Sequence, residues 1–238
     1  MTPAGAGGIR TVIVGASGRM GAQLLQLIGE FPALRLHGAV GSEESATLPS
    51  LLKDANLVLD FSQPVAAAAT LAACVGARVP LLIGTTGLPR ELDAPLSAAA
   101  DAIALMVAAN TSLGVNLLLE LVRQAAHDLP AGYDIQIVET HHRNKRDAPS
   151  GTALALRAAA ASGRRVNPAE IGVVSLRGGD VVGEHEVWFL GEGERVLLKH
   201  SATDRAVFAR GALLAGQWLA ARTPGRYAMR DAFISKDK

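Results

Sequence analysis

The β-branched and aliphatic run Ile9 to Val14 ends in Gly15-Ala16-Ser17-Gly18-Arg19-Met20-Gly21 and passes straight into a helical pattern, Gln23 to Glu30. Strand, glycine turn and helix in this order open a dinucleotide-type βαβ unit, and no other stretch narrows the possible folds as far. Gly15 permits the tight turn, Gly18 lets backbone amides approach a pyrophosphate, and Gly21 lets the helix lie close on the strand. The spacing is GxxGxxG instead of GxGxxG, and an ordinary strand-to-helix turn would share it. The order of elements after the turn decides between them.

The chain goes on to alternate. Leu34 to Val40, Leu57 to Phe61, Val79 to Ile83 and Ile103 to Ala108 read as strands, with helices at Val65 to Val75 and Leu92 to Ala100. This predicts a parallel sheet with helices on its faces, a Rossmann-type domain within an α/β protein. Ligands of such sheets lie beyond the carboxyl ends of the strands. Those ends are Gly15, Asp60-Phe61-Ser62, Gly84-Thr85-Thr86-Gly87 and Ala108-Ala109-Asn110-Thr111, mostly small or polar. Candidate dinucleotide contacts are therefore Gly15, Ala16, Ser17, Gly18, Arg19 and Met20 in the first turn. Phe61, Gly84, Thr85, Thr86, Ala108, Ala109, Asn110 and Thr111 join them from the other ends. The second strand of such folds usually ends in an acid for the adenine ribose. Here Val40 is followed by Gly41 and Ser42, with Glu43 and Glu44 just beyond and no arginine to meet a 2′-phosphate. NADH or NADPH would fit, and the acidic neighbours favour NADH.

Composition excludes several classes. With 49% hydrophobic and 19% charged residues, the 238-residue chain has the makings of a sizeable core and is not a disordered one. A net charge of +1 supplies no electrostatic reason to bind nucleic acid or an anionic membrane. The single cysteine, Cys74, rules out an intrachain disulfide framework. The longest apolar stretches, Val65 to Ala77 and Ile103 to Ala109, fall short of the roughly 20 residues that span a bilayer. Met1 to Gly8 lacks the basic start and apolar block of a secretory signal, so a cytoplasmic location is expected.

Past Asn110 the pattern changes. Val115 to Leu129 is an amphipathic helix, Asp134 to Glu139 a strand, and Ala153 to Ala161 an alanine-rich helix. Val173 to Leu176, Glu184 to Leu190 and Glu194 to His200 read as strands, the last two joined through Gly191-Glu192-Gly193. Successive strands without helices between them predict a mixed sheet, hence a smaller α+β domain. We place the first domain at 1–112, completed by 202–238 through a helix at Phe208 to Ala221, and the second at 113–201. His185 and His200 sit within strands and read as structural.

Between the strand ending at Glu139 and the helix at Ala153 lies His141-His142-Arg143-Asn144-Lys145-Arg146-Asp147-Ala148-Pro149-Ser150-Gly151-Thr152. Pro149 tolerates a helix start, Ser150 is a good N-cap, Gly151 admits close approach to the backbone, and Thr152 adds a hydroxyl. Such a start suits a carboxylate or phosphate, with His142 and Lys145 to balance its charge. A capped helix behind a solvated basic loop would share the pattern. No metal site is expected, because adjacent histidines on an extended chain point apart and Cys74 lies far off in sequence.

The string Glu139-x-His141-His142-x-x-Lys145-x-Asp147-Ala-Pro-Ser-Gly-Thr-Ala153 resembles the signature of the dihydrodipicolinate reductases of lysine and diaminopimelate biosynthesis. Asp60-Phe61, Gly84-Thr85-Thr86-Gly87, Ala109-Asn110, Gly179-Asp180-x-Val182-Gly183-Glu184-His185 and Met229-Arg230-Asp231 carry the likeness along the chain. The resemblance implies reduction of the cyclic imine derived from 4-hydroxy-tetrahydrodipicolinate by NADH or NADPH, without a metal, in a homotetramer formed through the second sheet. It assigns His141 as proton donor, Lys145 as a second cation that stabilises developing negative charge, and His142, Ser150, Gly151 and Thr152 as the substrate carboxylate site. It also implies closure about hinges near Asn110 to Gly114 and Ser201 to Asp204. Four departures stand out: Gly41 replaces the expected acid, Thr111 an aromatic residue and Gln63 an arginine, and the link from Gly41 to Leu57 is short. Two other readings compete: another dehydrogenase of a small amino-dicarboxylate, and a non-catalytic NAD(P)H sensor, which would have no use for His141 and Lys145 beside an anion-binding helix start.

Overall fold

The computed structural model describes residues 8–42 and 45–233; Glu43 and Glu44, and most of the Met1 to Gly8 segment, lie outside the described residues. The chain divides into two compact units, 1–112 with 208–238, and 113–207. The return to the first unit comes at Phe208, later than residue 202, because the last strand of the second unit runs on through Ala202.

The first unit is built as β1 (Ile9–Val14), α1 (Arg19–Leu27), β2 (Leu34–Val40), α2 (Leu48–Leu52), β3 (Leu57–Asp60), α3 (Pro64–Ala77), β4 (Leu81–Ile83), α4 (Asp93–Ala99) and β5 (Ala104–Val107). Its six strands run parallel in the order β10-β5-β4-β3-β1-β2, where β10 is the late strand Gly225–Tyr227 on the edge beside β5. Strands buried on both faces read as unbroken apolar runs. Leu57, Val58 and Leu59 of β3 and Leu81, Leu82 and Ile83 of β4 are all fully buried, each contributing about 1.5–3 kcal/mol of apolar burial. α3 opens at Pro64, whose fixed φ suits a first helical turn, and closes at Arg78 in the left-handed region. Neither α2 nor β10 has a strong signal in the sequence: α2 is a single turn or so with Pro49 near its start, and β10 spans three residues.

In the second unit α5 (Leu113–Asp128) is followed by β6 (Asp134–His141), α6 (Gly151–Arg164), β7 (Gly172–Arg177), β8 (Gly183–Leu190) and β9 (Arg195–Ala202). The sheet order is β7-β6-β8-β9, with β6 parallel to β7 and antiparallel to β8, so it is mixed as expected. α5 buries Val115, Leu118, Val122 and Ala126, a helical stripe of which the last three join Leu156 and Ala160 of α6 and Ile135, Ile137, Val187 and Phe189 of the sheet in one core. Side chains alternate along a strand. Ile135 and Ile137 lie in this core, so Glu139 and His141 project from the same face of β6 at its end. The chain re-enters the first unit within α7 (Ala206–Leu219), at Phe208, and closes with β10 and α8 (Met229–Phe233). No helix among the described residues is long and apolar enough to cross a membrane.

Candidate active site

At the carboxyl end of β1, Gly15 has φ +82°, and a β-carbon there would fall 2.4 Å from the Phe61 carbonyl oxygen. Only glycine satisfies both demands. A β-carbon on Gly21 would stand 2.2 Å from the Gly15 carbonyl oxygen, so α1 lies directly against the turn. Gly18 caps α1 without a side-chain acceptor, which leaves its first-turn amides to an anion. Ser17, Gly18 and Arg19 are exposed beside them. The neighbouring ends are laced together: Ser62 N–H and Thr85 Oγ–H donate to Asp60 Oδ1 at 2.8 and 3.4 Å, and the Phe61 ring occupies the space a side chain on Gly84 would need. Burial pushes the Asp60 carboxyl above its ordinary range, against the hydrogen bonds from Ser62 and Thr85. Thr86 and Ala109 are exposed, while Ala108 is buried. Thr111 is 3% exposed and its hydroxyl donates to the Phe208 carbonyl at 2.7 Å, so this side chain is committed to packing α7. These residues fit a dinucleotide at the first turn and the β3 and β4 ends.

In the second unit the strand extends further than the sequence suggested. β6 runs to His141, which therefore belongs to the sheet and not to the loop, and the loop after it is tied back to residues 178–181. Gly178 N–H donates to the His141 carbonyl at 3.0 Å, and His142 N–H donates to that of Val181 at 2.7 Å. His141 is buried and His142 half-buried, as alternation requires. α6 starts at Gly151 behind Ser150, whose Oγ accepts from the Ala153 amide at 3.1 Å. Ser150 is 2% exposed and acts as the helix cap, while Gly151 is exposed and Thr152 half-buried at the helix start.

The structure gathers His141, Lys145 and Ser150, and adds three residues that the sequence reading left without a role. Glu139, fully buried, accepts from His141 Nδ1 through Oε2, from Arg177 Nη2 at 2.7 Å through Oε1, and from the Ser150 amide at 3.3 Å. Arg177 also donates to the Asp147 carbonyl at 2.6 Å. His185, expected to be structural, packs edge to face on His141 with ring centroids 5.1 Å apart, and its Nε2 meets Ser150 Oγ at 3.3 Å. Lys145 pairs with Asp147 at 2.8 Å. The i, i+2 spacing of Glu139 and His141 on a strand was the signal for the first of these. Arg177 and His185 come from β7 and β8, and only the fold brings them in.

Electrostatics follow from this packing. Burial raises the Glu139 carboxyl, yet hydrogen bonds from Arg177 and Ser175 and the His141 charge overcome it and hold the group down at about 2. Burial lowers His141; Glu139 opposes, while Lys145 and Arg177 lower it further. His185 is pushed down to about 4 by burial and by the positive charge of its neighbours, so it is neutral near pH 7. Glu139, His141 and His185 bring ligand-type atoms within 4.8 Å of one another. The carboxylate is already taken by the fixed charge of Arg177, which makes the group an acid–base cluster in an ion-paired frame.

A dinucleotide turn on a parallel sheet and a second unit carrying buried acid–base groups beside a capped helix define a two-unit NAD(P)H-dependent oxidoreductase. Residues 9–111 match the family model described as dihydrodipicolinate reductase, N-terminus, and residues 114–233 its C-terminus counterpart. Curated relatives named 4-hydroxy-tetrahydrodipicolinate reductase include one from Anaeromyxobacter dehalogenans (strain 2CP-1 / ATCC BAA-258), 41% identical over 93% of this chain and 96% of its own length. The relative from Thiobacillus denitrificans is also 41% identical, over 94% and 97%. Among solved structures, a dipicolinate-bound dihydrodipicolinate reductase from Paenisporosarcina sp. TG-14 superposes with a TM-score of 0.80 at 22% identity, covering 93% of this chain and 97% of that one. The chain belongs to the dihydrodipicolinate reductase family.

Proposed function

We propose that the protein reduces the cyclic imine formed from 4-hydroxy-tetrahydrodipicolinate to tetrahydrodipicolinate, in the cytoplasm. Loss of water from the hydroxylated ring gives the conjugated imine. Overall, one NAD(P)H and one proton are consumed, and NAD(P)+ and water are released. The observation that carries this reading is His141, buried with Nδ1 on a carboxylate and set beside the Gly151 and Thr152 helix start.

The nicotinamide, when bound, supplies the hydride. One substrate carboxylate rests at Gly151 and Thr152, with His142 and Lys145 as cationic partners. Ser150 holds that helix start in place through its bond to the Ala153 amide. The electron pair displaced by hydride addition moves toward the ring nitrogen or adjoining carbon and takes a proton from His141 Nε2. Nδ1 stays on Glu139, and Lys145 stabilises the negative charge as it develops. A solved relative holds dipicolinate, a ring dicarboxylate of the same outline, which supports the double-carboxylate reading.

At the dinucleotide end, Gly41 admits either NADH or NADPH, and the acidic neighbours in sequence favour NADH. The second sheet leaves Val174, Leu176 and Leu197 41–51% exposed on the face away from α5 and α6, which supports a homotetramer built through that face. A substrate panel tests the reaction: the imine generated by the preceding synthase should support NAD(P)H oxidation, and other small amino-dicarboxylate precursors should not. Faster oxidation with one of those others would replace this reading with that of a different dehydrogenase.

A further inference from the structure

Glu139 and His141 share one face of β6, and Glu139 is completely buried there with donors arriving from three elements: His141 from its own strand, Arg177 from β7 and the Ser150 amide from the start of α6. A buried ion pair is weak evidence of stabilisation, because desolvation offsets its Coulomb gain. Its geometric consequences are stronger. With Nδ1 donating to the carboxylate, neutral His141 is held as the Nδ1–H tautomer, and the exchangeable proton is confined to Nε2. Nε2 lies over Gly183, where a β-carbon would stand 3.0 Å away, so glycine at the start of β8 leaves room for this nitrogen.

The charged and titratable groups around the ring are Glu139, Lys145, Arg177 and His185, with His200 beyond His185. Lys145 and Arg177 both disfavour an imidazolium, and His185 is neutral. Glu139 is the one group among them that favours it. The same carboxylate, through Oε1, also holds the Ser150 amide and with it the helix start that would take a substrate carboxylate.

We propose that Glu139 is the positioning residue of the reaction, orienting His141 for proton delivery from Nε2, sustaining its charged form, and tying the proton donor to the helix start that binds substrate. The inference rests on the reductase reading above. It assigns Glu139 no contact with substrate: it acts through His141 and Ser150.

Two experiments test it. In the first, Glu139→Gln and the double variant Glu139→Gln/Arg177→Met, which leaves no unpaired buried guanidinium, are compared with wild type over a range of pH. kcat is expected to fall at least tenfold, and the descending limb of kcat/KM to move to lower pH as the imidazolium loses its counter-charge, with NADH affinity unchanged. A folded variant with wild-type kcat and an unmoved limb would overturn the proposal while leaving the reductase reading intact. Wild-type protein inactive on the imine would sink that reading itself. The second needs no variant at Glu139: nitrogen-15 spectra of histidine-labelled wild type, with the His141 signal identified by its loss in His141→Gln, should show neutral His141 as the Nδ1–H tautomer. An Nε2–H tautomer would overturn the proposal even if both Glu139 variants failed to fold.

Discussion

His141 and His185 meet edge to face, their planes at 75°, although one ends β6 and the other lies near the start of the antiparallel neighbour β8. The contact joins two histidines in unlike surroundings. His141 sits on a carboxylate through Nδ1; His185 is buried, neutral and bonded to the Ser150 hydroxyl. His141→Gln and Lys145→Ala should each lower kcat by roughly 10²-fold or more, the usual scale for a proton donor. His185→Phe, which keeps the ring contact and loses only the Ser150 bond, should cost less than about tenfold and leave the pH profile in place. Steady-state kinetics of the three variants check the ordering.

The pH dependence has a definite sign. His141 must be protonated to donate, and burial sets its folded-state value below the ordinary 6.5. kcat/KM should therefore fall as pH rises through a midpoint below that of an ordinary histidine. Glu139 works in the opposite sense on stability. Its depressed value means that its contribution is fully present above the unfolded carboxyl range near 4.5 and is lost as pH falls toward about 2. Acid unfolding of Glu139→Gln should be flatter across that window than that of wild type.

Gly21→Ala tests the dinucleotide turn. The added methyl would stand 2.2 Å from the Gly15 carbonyl, a backbone atom that cannot step aside without moving the turn. Overpacking of this kind costs about 1–3 kcal/mol. Binding of NADH and NADPH, followed by fluorescence titration, should weaken for both cofactors alike, whereas Thr152→Ala should leave cofactor binding untouched and raise the KM for the imine.

The outward face of the second sheet gives an assembly prediction. Leu176→Glu places a charge on the β7 edge of the apolar face formed with Val174 and Leu197. Sedimentation should show wild type as a tetramer and the variant as smaller species, with the dinucleotide unit still folded. A variant that sediments as wild type would remove this face from the interface.

Much of this organisation was legible because burial leaves a period in the sequence. β1 and β2 occupy the residues expected of them, Ile9–Val14 and Leu34–Val40, because each begins and ends on an aliphatic residue and is closed by a glycine, Gly15 or Gly41. β6 extends two residues past its apolar pattern, since Thr140 and His141 are polar and pattern alone cannot tell a strand end that carries chemistry from a loop. β10 has no local signature because its pairing partner, β5, is remote in sequence. The site divides in the same way. The helix start at Ser150 and Gly151 follows from local capping chemistry. Arg177 and His185 are brought to Glu139 and His141 by sheet register, which local sequence does not encode. The hydroxyl of Thr111 donates to the Phe208 carbonyl, a partner that local sequence does not announce either.

The most direct measurement is oxidation of NADH and, separately, NADPH by the purified protein, with substrate generated in place from pyruvate and aspartate semialdehyde by the preceding synthase. Rapid substrate-dependent oxidation is the expected result, faster with NADH than with NADPH. No oxidation with either cofactor, from folded protein shown to bind one of them, would contradict the reductase reading.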